Sequence, residues 1–279
     1  MILKAFAKIN LGLRILERRS DGYHNIESVF CYLNWFDELS ISEANKFSFS
    51  CSDPSLPTGE DNLVVKAIRK VEQATHQPFD FSVHLTKDIP HGAGLGGGSS
   101  DAACVIRFAL TKWPELFSSD QAQTIASELG SDINFFLSPE SQIATDRGIV
   151  LRPLNFQIPA WIVTVFPAVT VPTGWAYQQI TPKSGYSETL DLLLNRLTDV
   201  SDYSGSIIND FDAPISSQKP EIKTIKEHLT FSGADYVSLS GSGSACFGLY
   251  KQKSQAESAF RMFRKNYPAN LTPPGFKPK

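Results

Sequence analysis

The sequence has few of the features that mark several common functional classes. Cysteine is scarce, and the four present (Cys31, Cys51, Cys104 and Cys246) form no CxxC pair. This spacing predicts neither a disulfide framework nor a zinc site. No apolar run approaches the roughly 18 residues that a membrane-spanning helix needs. We therefore expect a cytoplasmic protein with reduced thiols and no membrane partner.

An excess of positive charge is also missing. Lysine and arginine total 26 against 29 acidic residues, which gives a formal net charge of −3. A chain with this balance has no general attraction to polyphosphate backbones, so we expect no nucleic-acid partner. The first residues have the pattern of a β-strand, and they lack the character of a signal or transit peptide.

The hydrophobic pattern predicts an α+β protein with two domains, at residues 1–154 and 155–279. The proline-punctuated segment 151–159 marks the boundary. In the first half, we expect strands at 2–16, 26–35, 45–51 and 79–85, and helices that start near 62, 100 and 119. In the second half, we expect a strand at 161–166, helices near 189–199, 219–229 and 254–265, and a hairpin formed by 236–240 and 245–250.

The most informative segment is the glycine-rich loop at residues 90–100, Pro-His-Gly-Ala-Gly-Leu-Gly-Gly-Gly-Ser-Ser, which stands directly before a predicted helix. Glycines let the backbone approach a ligand closely, and consecutive N–H groups can converge on an anion. The positive N-terminus of the following helix points at the same place. Ser99 and Ser100 add hydroxyl donors, and Lys87 can add a cation. The loop therefore predicts phosphate binding.

Other interpretations of this loop remain. Residues 92–97 satisfy the dinucleotide-binding pattern GxGxxG, but residues 88–91 separate the loop from its strand, and Rossmann turns are much tighter. A standard Walker A loop needs GK[ST] after the glycines, which this chain lacks. A flexible turn without a ligand is the third interpretation, and the paired serines before a helix argue against it.

The segments at residues 90–103, 7–13 (Ala-Lys-Ile-Asn-Leu-Gly-Leu) and 237–244 (Val-Ser-Leu-Ser-Gly-Ser-Gly-Ser) together resemble the three signatures of the GHMP kinases. Segments 19–30 and 209–212 resemble the branch of that family that acts on a cytidine diphosphate-linked methylerythritol. The resemblance implies a two-domain GHMP kinase fold, with an N-terminal domain like ribosomal protein S5 domain 2 and a ferredoxin-like C-terminal domain. The chain departs from the family at residues 130–136 and 144–149, where Asn134, Asp146 and Ile149 replace the usual proline, glycine and glutamate.

The resemblance implies ATP and Mg²⁺ as cofactors. The ATP-binding residues would be Pro90, Gly92, Ala93, Gly94, Leu95, Gly96, Gly97, Gly98, Ser99, Ser100, Asn62 and Lys87. Asn62 could equally be a helix cap. The metal ligands stay open, with Ser100 and Asp101 as candidates.

Lys8 and Asp132 are the catalytic candidates. Phosphoryl transfer needs an aligned acceptor hydroxyl, and an aspartate beside it can accept its proton while a lysine keeps the carboxylate ionised. Asp132 could instead be only a helix N-cap after Gly130. Lys8 stands in an apolar strand, where an unpaired lysine is rare. The resemblance favours catalysis for both.

The resemblance assigns substrate binding to Asn10, Tyr23, His24, Thr173, Tyr177, Gly241 and Ser242. Tyr23 and Tyr177 would stack on the two faces of cytosine, and His24 would bind its edge. Alternatives are another GHMP kinase, of homoserine or mevalonate type, or a catalytically silent nucleotide-binding regulator. We expect a monomer or weak homodimer.

Overall fold

The computed structural model describes residues 1–182 and 185–278. The chain forms two compact units whose segments alternate along the sequence. The first unit consists of Met1–Ala7, Phe36–Ile89 and Gly96–Pro139, and the second of Lys8–Trp35, Pro90–Leu95 and Glu140–Lys279. The division into domains at residues 1–154 and 155–279 stays a prediction.

The described residues contain strands and helices that we number in chain order. The strands are β1 (Ile2–Arg18), β2 (His24–Glu43), β3 (Ser48–Cys51), β4 (Phe81–Thr86), β5 (Gln142–Thr145), β6 (Val150–Pro153), β7 (Trp161–Val165), β8 (Tyr236–Leu239), β9 (Cys246–Tyr250) and β10 (Ala269–Thr272). The helices are α1 (Leu63–Thr75), α2 (Gly97–Lys112), α3 (Ser119–Leu129), α4 (Thr173–Gln178), α5 (Leu190–Arg196), α6 (Asp212–Gln218), α7 (Pro220–Phe231) and α8 (Lys253–Phe263). Short 3-10 helices span Ile133–Leu137 and Val200–Tyr203.

In the first unit, a small sheet accompanies helices α1 to α3. Strand β4 pairs parallel to β3 and antiparallel to the second half of β2. An aromatic cluster of Phe79, Phe81, Phe108 and Trp113 joins β4 to α2, with ring centroids 5.0 to 6.3 Å apart. Edge-to-face contacts of this kind add to the stability given by the buried apolar area.

In the second unit, β5 pairs antiparallel with the first half of β2 and with β6. A separate antiparallel sheet has the strand order β10-β7-β9-β8. Its elements follow the chain order strand, helices, strand, strand, helix, strand, which is the ferredoxin-like arrangement expected for the C-terminal domain. Helices α7 and α8 contribute Ile222, Leu229 and Phe263 to the core against this sheet.

Most predicted elements are confirmed, and the differences have physical reasons. Strand β2 continues to Glu43 because Asp37, Leu39 and Ile41 keep the alternation of buried positions beside β4. Helix α2 starts at Gly97 and not at residue 100, because the low helix propensity of glycine hides a helical start in the sequence. Helices α4 and α6 were not predicted, since six or seven residues show little periodicity.

Candidate active site

Pro90–Leu95, the first half of the glycine-rich loop, is held by hydrogen bonds within the second unit. The carbonyl of Leu95 accepts from the backbone N–H of Lys8 at 2.9 Å, and the carbonyl of Gly94 accepts from the Ser240 hydroxyl at 2.8 Å. Gly94 has φ +78°, and a Cβ there would lie 2.3 Å from the Ser240 carbonyl oxygen. Only glycine fits this position. All three sequence motifs therefore meet at this half of the loop.

The second half of the loop forms the N-terminus of α2. Gly96 is left-handed, with φ 71°, and no side chain caps this helix end. By contrast, α3 is capped by Ser118, and α1 by Asn62, whose side chain accepts from Val64 N–H at 2.9 Å. An uncapped N-terminus offers its first N–H groups and its positive end to an anion. Asn62 is thus a helix cap, and its contact with the nucleotide stays a prediction.

Lys87 lies between two carboxylates in the first unit. Its ammonium donates to Asp101 at 2.9 Å and also to Asp37. All three side chains are buried: Lys87 is 6% exposed, Asp101 3% and Asp37 0%. Burial raises the pKa of Asp101 to about 8. Burial alone would lower the pKa of Lys87, but the two carboxylates outweigh it and raise that pKa. The charge of Lys87 is therefore balanced within the protein, and a contact with ATP stays a prediction.

The same cluster shapes the chain before the glycine-rich loop. The second oxygen of Asp37 accepts from the backbone N–H of Asp88 at 2.6 Å and of Ile89 at 2.9 Å. A Cβ at Gly97 would lie 3.1 Å from Ile89 and 3.3 Å from the Lys87 ammonium. Asp37, Lys87 and Asp101 thus tie the end of β4 to the first turn of α2.

Lys8 and Asn10 share one face of β1, because they are two residues apart on a strand. The buried Lys8 ammonium donates to Asn10 Oδ1 at 2.7 Å and lies 4.8 Å from the centroid of the Phe30 ring. Asn10 Nδ2 donates to the Ser28 hydroxyl at 2.9 Å. The hydrogen bonds fix both side chains in one orientation in the second unit. The catalytic role of Lys8 and the substrate role of Asn10 stay predictions.

Asp132 precedes the 3-10 helix Ile133–Leu137 in the first unit. It occupies the N-cap position with φ −82° and ψ −13°, but its side chain makes no capping hydrogen bond. The capping interpretation therefore does not account for its carboxylate, which is half-buried. Helix α3 ends at Leu129, and Gly130 after it is extended, with φ 170°. The role of Asp132 as a base stays a prediction.

Four predicted substrate residues line one cavity of about 750 Å³ in the second unit: Tyr23, His24, Thr173 and Tyr177. Arg18 and Arg147 line it as well, and the described lining contains no carboxylate. A cavity with aromatic rings and two guanidinium groups suits a flat ring attached to an anion.

The rings in this cavity have partners that differ from the expected ones. The ring of Tyr177 is stacked on His24, with centroids 5.0 Å apart and planes at 12°. Tyr23 lies under the Arg147 guanidinium, whose carbon is 4.8 Å from the ring centroid. Tyr23 and Tyr177 thus each have another partner in the structure, and their expected stacking on the two faces of cytosine stays a prediction. Burial, and then the charge of Arg18, lower the pKa of His24.

Gly241 and Ser242 belong to the turn between β8 and β9. The Ser242 hydroxyl lies 3.4 Å from the Thr173 hydroxyl. Asn209, from the motif at 209–212, donates to the carbonyl of Gly241 at 2.9 Å and to the carbonyl of Leu239 at 3.0 Å. Asn209 thus holds the turn in place, and the contact between Thr173 and Ser242 brings the start of α4 beside it.

Comparison with known proteins decides the family. The family model for the GHMP kinases N terminal domain matches residues 62–138, and the model for GHMP kinases C terminal matches 191–269. A 4-diphosphocytidyl-2-C-methyl-D-erythritol kinase of Chlorobium phaeobacteroides (strain BS1) is 41% identical over 278 residues, covering 98% of this chain and 97% of that protein. The chain belongs to the GHMP kinase family.

Solved structures agree with this family. A crystal structure of 4-(cytidine 5'-diphospho)-2C-methyl-D-erythritol kinase is similar with a TM-score of 0.84 and 32% identity, covering 99% of this chain and 100% of that one. The homoserine kinase from Cytophaga hutchinsonii gives a TM-score of 0.68 at 16% identity, covering 98% of this chain and 95% of that one, which shows a shared fold alone. The two-domain GHMP kinase fold is thus confirmed.

The metal ligands of this GHMP kinase are not evident from its acidic residues. Within residues 1–182 and 185–278, no group of three His, Cys, Asp or Glu side chains could hold a metal ion. Magnesium in kinases is held by one or two carboxylates together with substrate phosphates, so such a group is not required. The candidate Asp101 already binds Lys87.

Among the described helices, none is long and apolar enough to cross a membrane.

Three residues were not selected from the sequence: Asp37 in the first unit, and Ser240 and Arg147 in the second. The sequence pattern could have identified Asp37, because this charged residue stands at a buried position of an alternating strand, between Trp35 and Leu39. Ser240 had no signal beyond its place in the third motif. Arg147 belongs to the segment 144–149, but its proximity to Tyr23 depends on long-range folding.

Proposed function

We propose that this GHMP kinase transfers the γ-phosphoryl group of ATP to the 2-hydroxyl of 4-diphosphocytidyl-2-C-methyl-D-erythritol, for isoprenoid precursor synthesis by the non-mevalonate route. The observation that carries the proposal is the cavity lined by Tyr23, His24, Thr173 and Tyr177. Its volume of about 750 Å³ is in the range of small-molecule sites. The names of the relatives at 38 to 41% identity support the same substrate.

The remaining residues supply the reaction. The uncapped N-terminus of α2 and the loop before it grip the triphosphate. Asp132 accepts the proton of the substrate hydroxyl, and Lys8 stabilises the negative charge that develops during transfer. Magnesium, held mainly by the phosphates, would offset their negative charge. Each of these roles is part of the proposal.

Substrates without a base fit this site less well. Homoserine and mevalonate offer nothing flat for Tyr23, His24 and Tyr177 to stack on.

The four cysteines are free thiols, three of them buried, which fits a reducing cytoplasm as the place of action.

The direct test is ADP release by the purified protein with ATP and magnesium. We expect turnover with the cytidylyl substrate and at least about 100-fold lower kcat/KM with homoserine or mevalonate, because each stacked base contributes on the order of 1–3 kcal/mol and the diphosphate contacts add to it. Equal turnover of homoserine or mevalonate would reject the substrate assignment. No turnover of any alcohol would favour the silent regulator.

A further inference from the structure

We infer that Arg147 is a substrate-binding residue, and that its guanidinium binds a phosphate of the diphosphate next to the base. The inference rests on the proposed function and adds to it the residue that recognises the charged part of the substrate. Its starting point is the cavity in the second unit, where two arginines stand among the aromatic residues.

The position of Arg147 favours contact with a ligand. Its guanidinium carbon lies 4.8 Å from the ring centroid of Tyr23, and its side chain is exposed and lines the cavity. A guanidinium stacked on an aromatic face keeps its N–H groups at its edge, where they can bind an anion in a bidentate manner. In the part of the chain that the structure describes, Arg147 makes no ion pair.

The turn that carries Arg147 is fixed to the segment that carries Tyr23. Asp146, directly before Arg147, has φ +57°, which is uncommon for a residue other than glycine. Its carboxylate pairs with Arg19, and its carbonyl accepts from the backbone N–H of Ile26 at 2.7 Å. Arg19 and Asp146 are therefore positioning residues that hold the guanidinium beside the ring.

The charge around the cavity selects an anion. Arg18 and Arg147 contribute two positive charges, in a chain whose formal net charge is −3. The carboxylate near them, Asp21, accepts from the backbone N–H of Tyr23 at 3.1 Å and from Arg19 at 3.2 Å. The Tyr23 hydrogen bond, followed by the charges of Arg19 and Arg147, lowers the pKa of Asp21. Asp21 forms its ion pair with Arg19 and not with Arg147, so the guanidinium of Arg147 can serve a phosphate.

The test compares the binding of cytidine and of CDP, with the ATP site filled by a non-hydrolysable ATP analogue. Both carry the base, and only CDP carries the diphosphate. We expect Arg147→Gln to weaken CDP binding by roughly 10-fold or more, as for loss of a charge-assisted hydrogen bond, and cytidine binding by less than about 3-fold. Arg147→Lys should recover part of the CDP affinity, because it keeps the charge without the planar fork. Arg261→Gln on α8, where the side chain is 66% exposed, is the matched control.

Each other result has a distinct meaning. If Arg147→Gln weakens CDP and cytidine by the same factor, Arg147 acts only through the ring of Tyr23, and the phosphate contact is refuted. If it changes neither affinity, or no more than Arg261→Gln does, the inference is also refuted. If the unmodified protein binds neither compound, the proposed function fails, and the inference fails with it.

Discussion

Replacement of Asp101 by asparagine tests the charge cluster that ties β4 to α2. In this cluster one ammonium, that of Lys87, meets the two buried carboxylates of Asp37 and Asp101. Asparagine keeps the size of the side chain and an oxygen that can accept from Lys87, but it cannot ionise. The variant therefore resembles the protein with a protonated Asp101.

The expected effect of Asp101→Asn on the free energy of unfolding depends on pH, and its sign follows from the number of protons bound by the folded and unfolded states. Burial raises the pKa of Asp101 from 3.8 to about 8, so between these values the folded state holds a proton that the unfolded state has lost. The stability that this proton contributes is thus fully present below pH 4 and is lost as the pH rises through 8. With about 1.4 kcal/mol per unit, the loss between pH 6 and pH 9 is about 2–3 kcal/mol. Lys87 stays charged throughout, since its pKa is raised.

The assay is urea unfolding at several pH values from 6 to 9. Asp101→Asn should already be more stable than the parent at pH 6, by about 3 kcal/mol, and this difference should grow by about a further 2–3 kcal/mol at pH 9. Other groups titrate in both proteins, so the difference isolates Asp101. Glu115→Gln, at an exposed position, is the control and should leave the pH dependence unchanged. Parallel curves for the parent and Asp101→Asn would refute the reasoning.

Three further predictions concern catalysis and binding. Asp132→Asn should lower kcat about 100-fold or more with little change in KM, and Lys8→Met should do the same; steady-state turnover within a few-fold of the parent would exclude the assigned role. Tyr23→Ala should raise KM for the cytidylyl substrate about 5- to 150-fold and leave KM for ATP unchanged, and equal effects on both constants would contradict separate pockets. Gly94→Ala should weaken ATP binding in a calorimetric titration, because a Cβ would meet the Ser240 carbonyl at 2.3 Å; unchanged affinity would mean that the loop does not bind the nucleotide.

Local signals in the sequence predicted a large part of the fold. Hydrophobic periodicity identified α1, α3, α7 and α8, and the boundaries lie within a few residues of the structure. The cap at Asn62 was predicted as one of two interpretations, because a side-chain acceptor before an apolar helix is a local pattern. Features that depend on a few consecutive residues were accessible in this way.

The cluster at the base of the glycine-rich loop was not accessible. Lys87 was expected to serve the phosphates, because it stands at the end of the strand before the glycine-rich loop. Its partners come from β2 and α2, at positions 37 and 101, and each pair forms only when distant segments pack together. A charged residue at a buried position of an alternating strand, such as Asp37, is the signal that a buried partner exists. The sequence does not identify that partner.

The partner of Tyr177 shows how a simple rule could have improved the prediction. Successive side chains in an extended chain point to opposite sides, so Tyr23 and His24 cannot both face the same ring. In the structure His24, the first residue of β2, stacks on Tyr177, and Tyr23 lies against Arg147. The same alternation puts Lys8 and Asn10 on one face of β1, because they are two residues apart. Applied to residues 23 and 24, the alternation lets only one of the two neighbours face Tyr177. In the structure this neighbour is His24, and Tyr23, which is 58% exposed, contacts Arg147 instead.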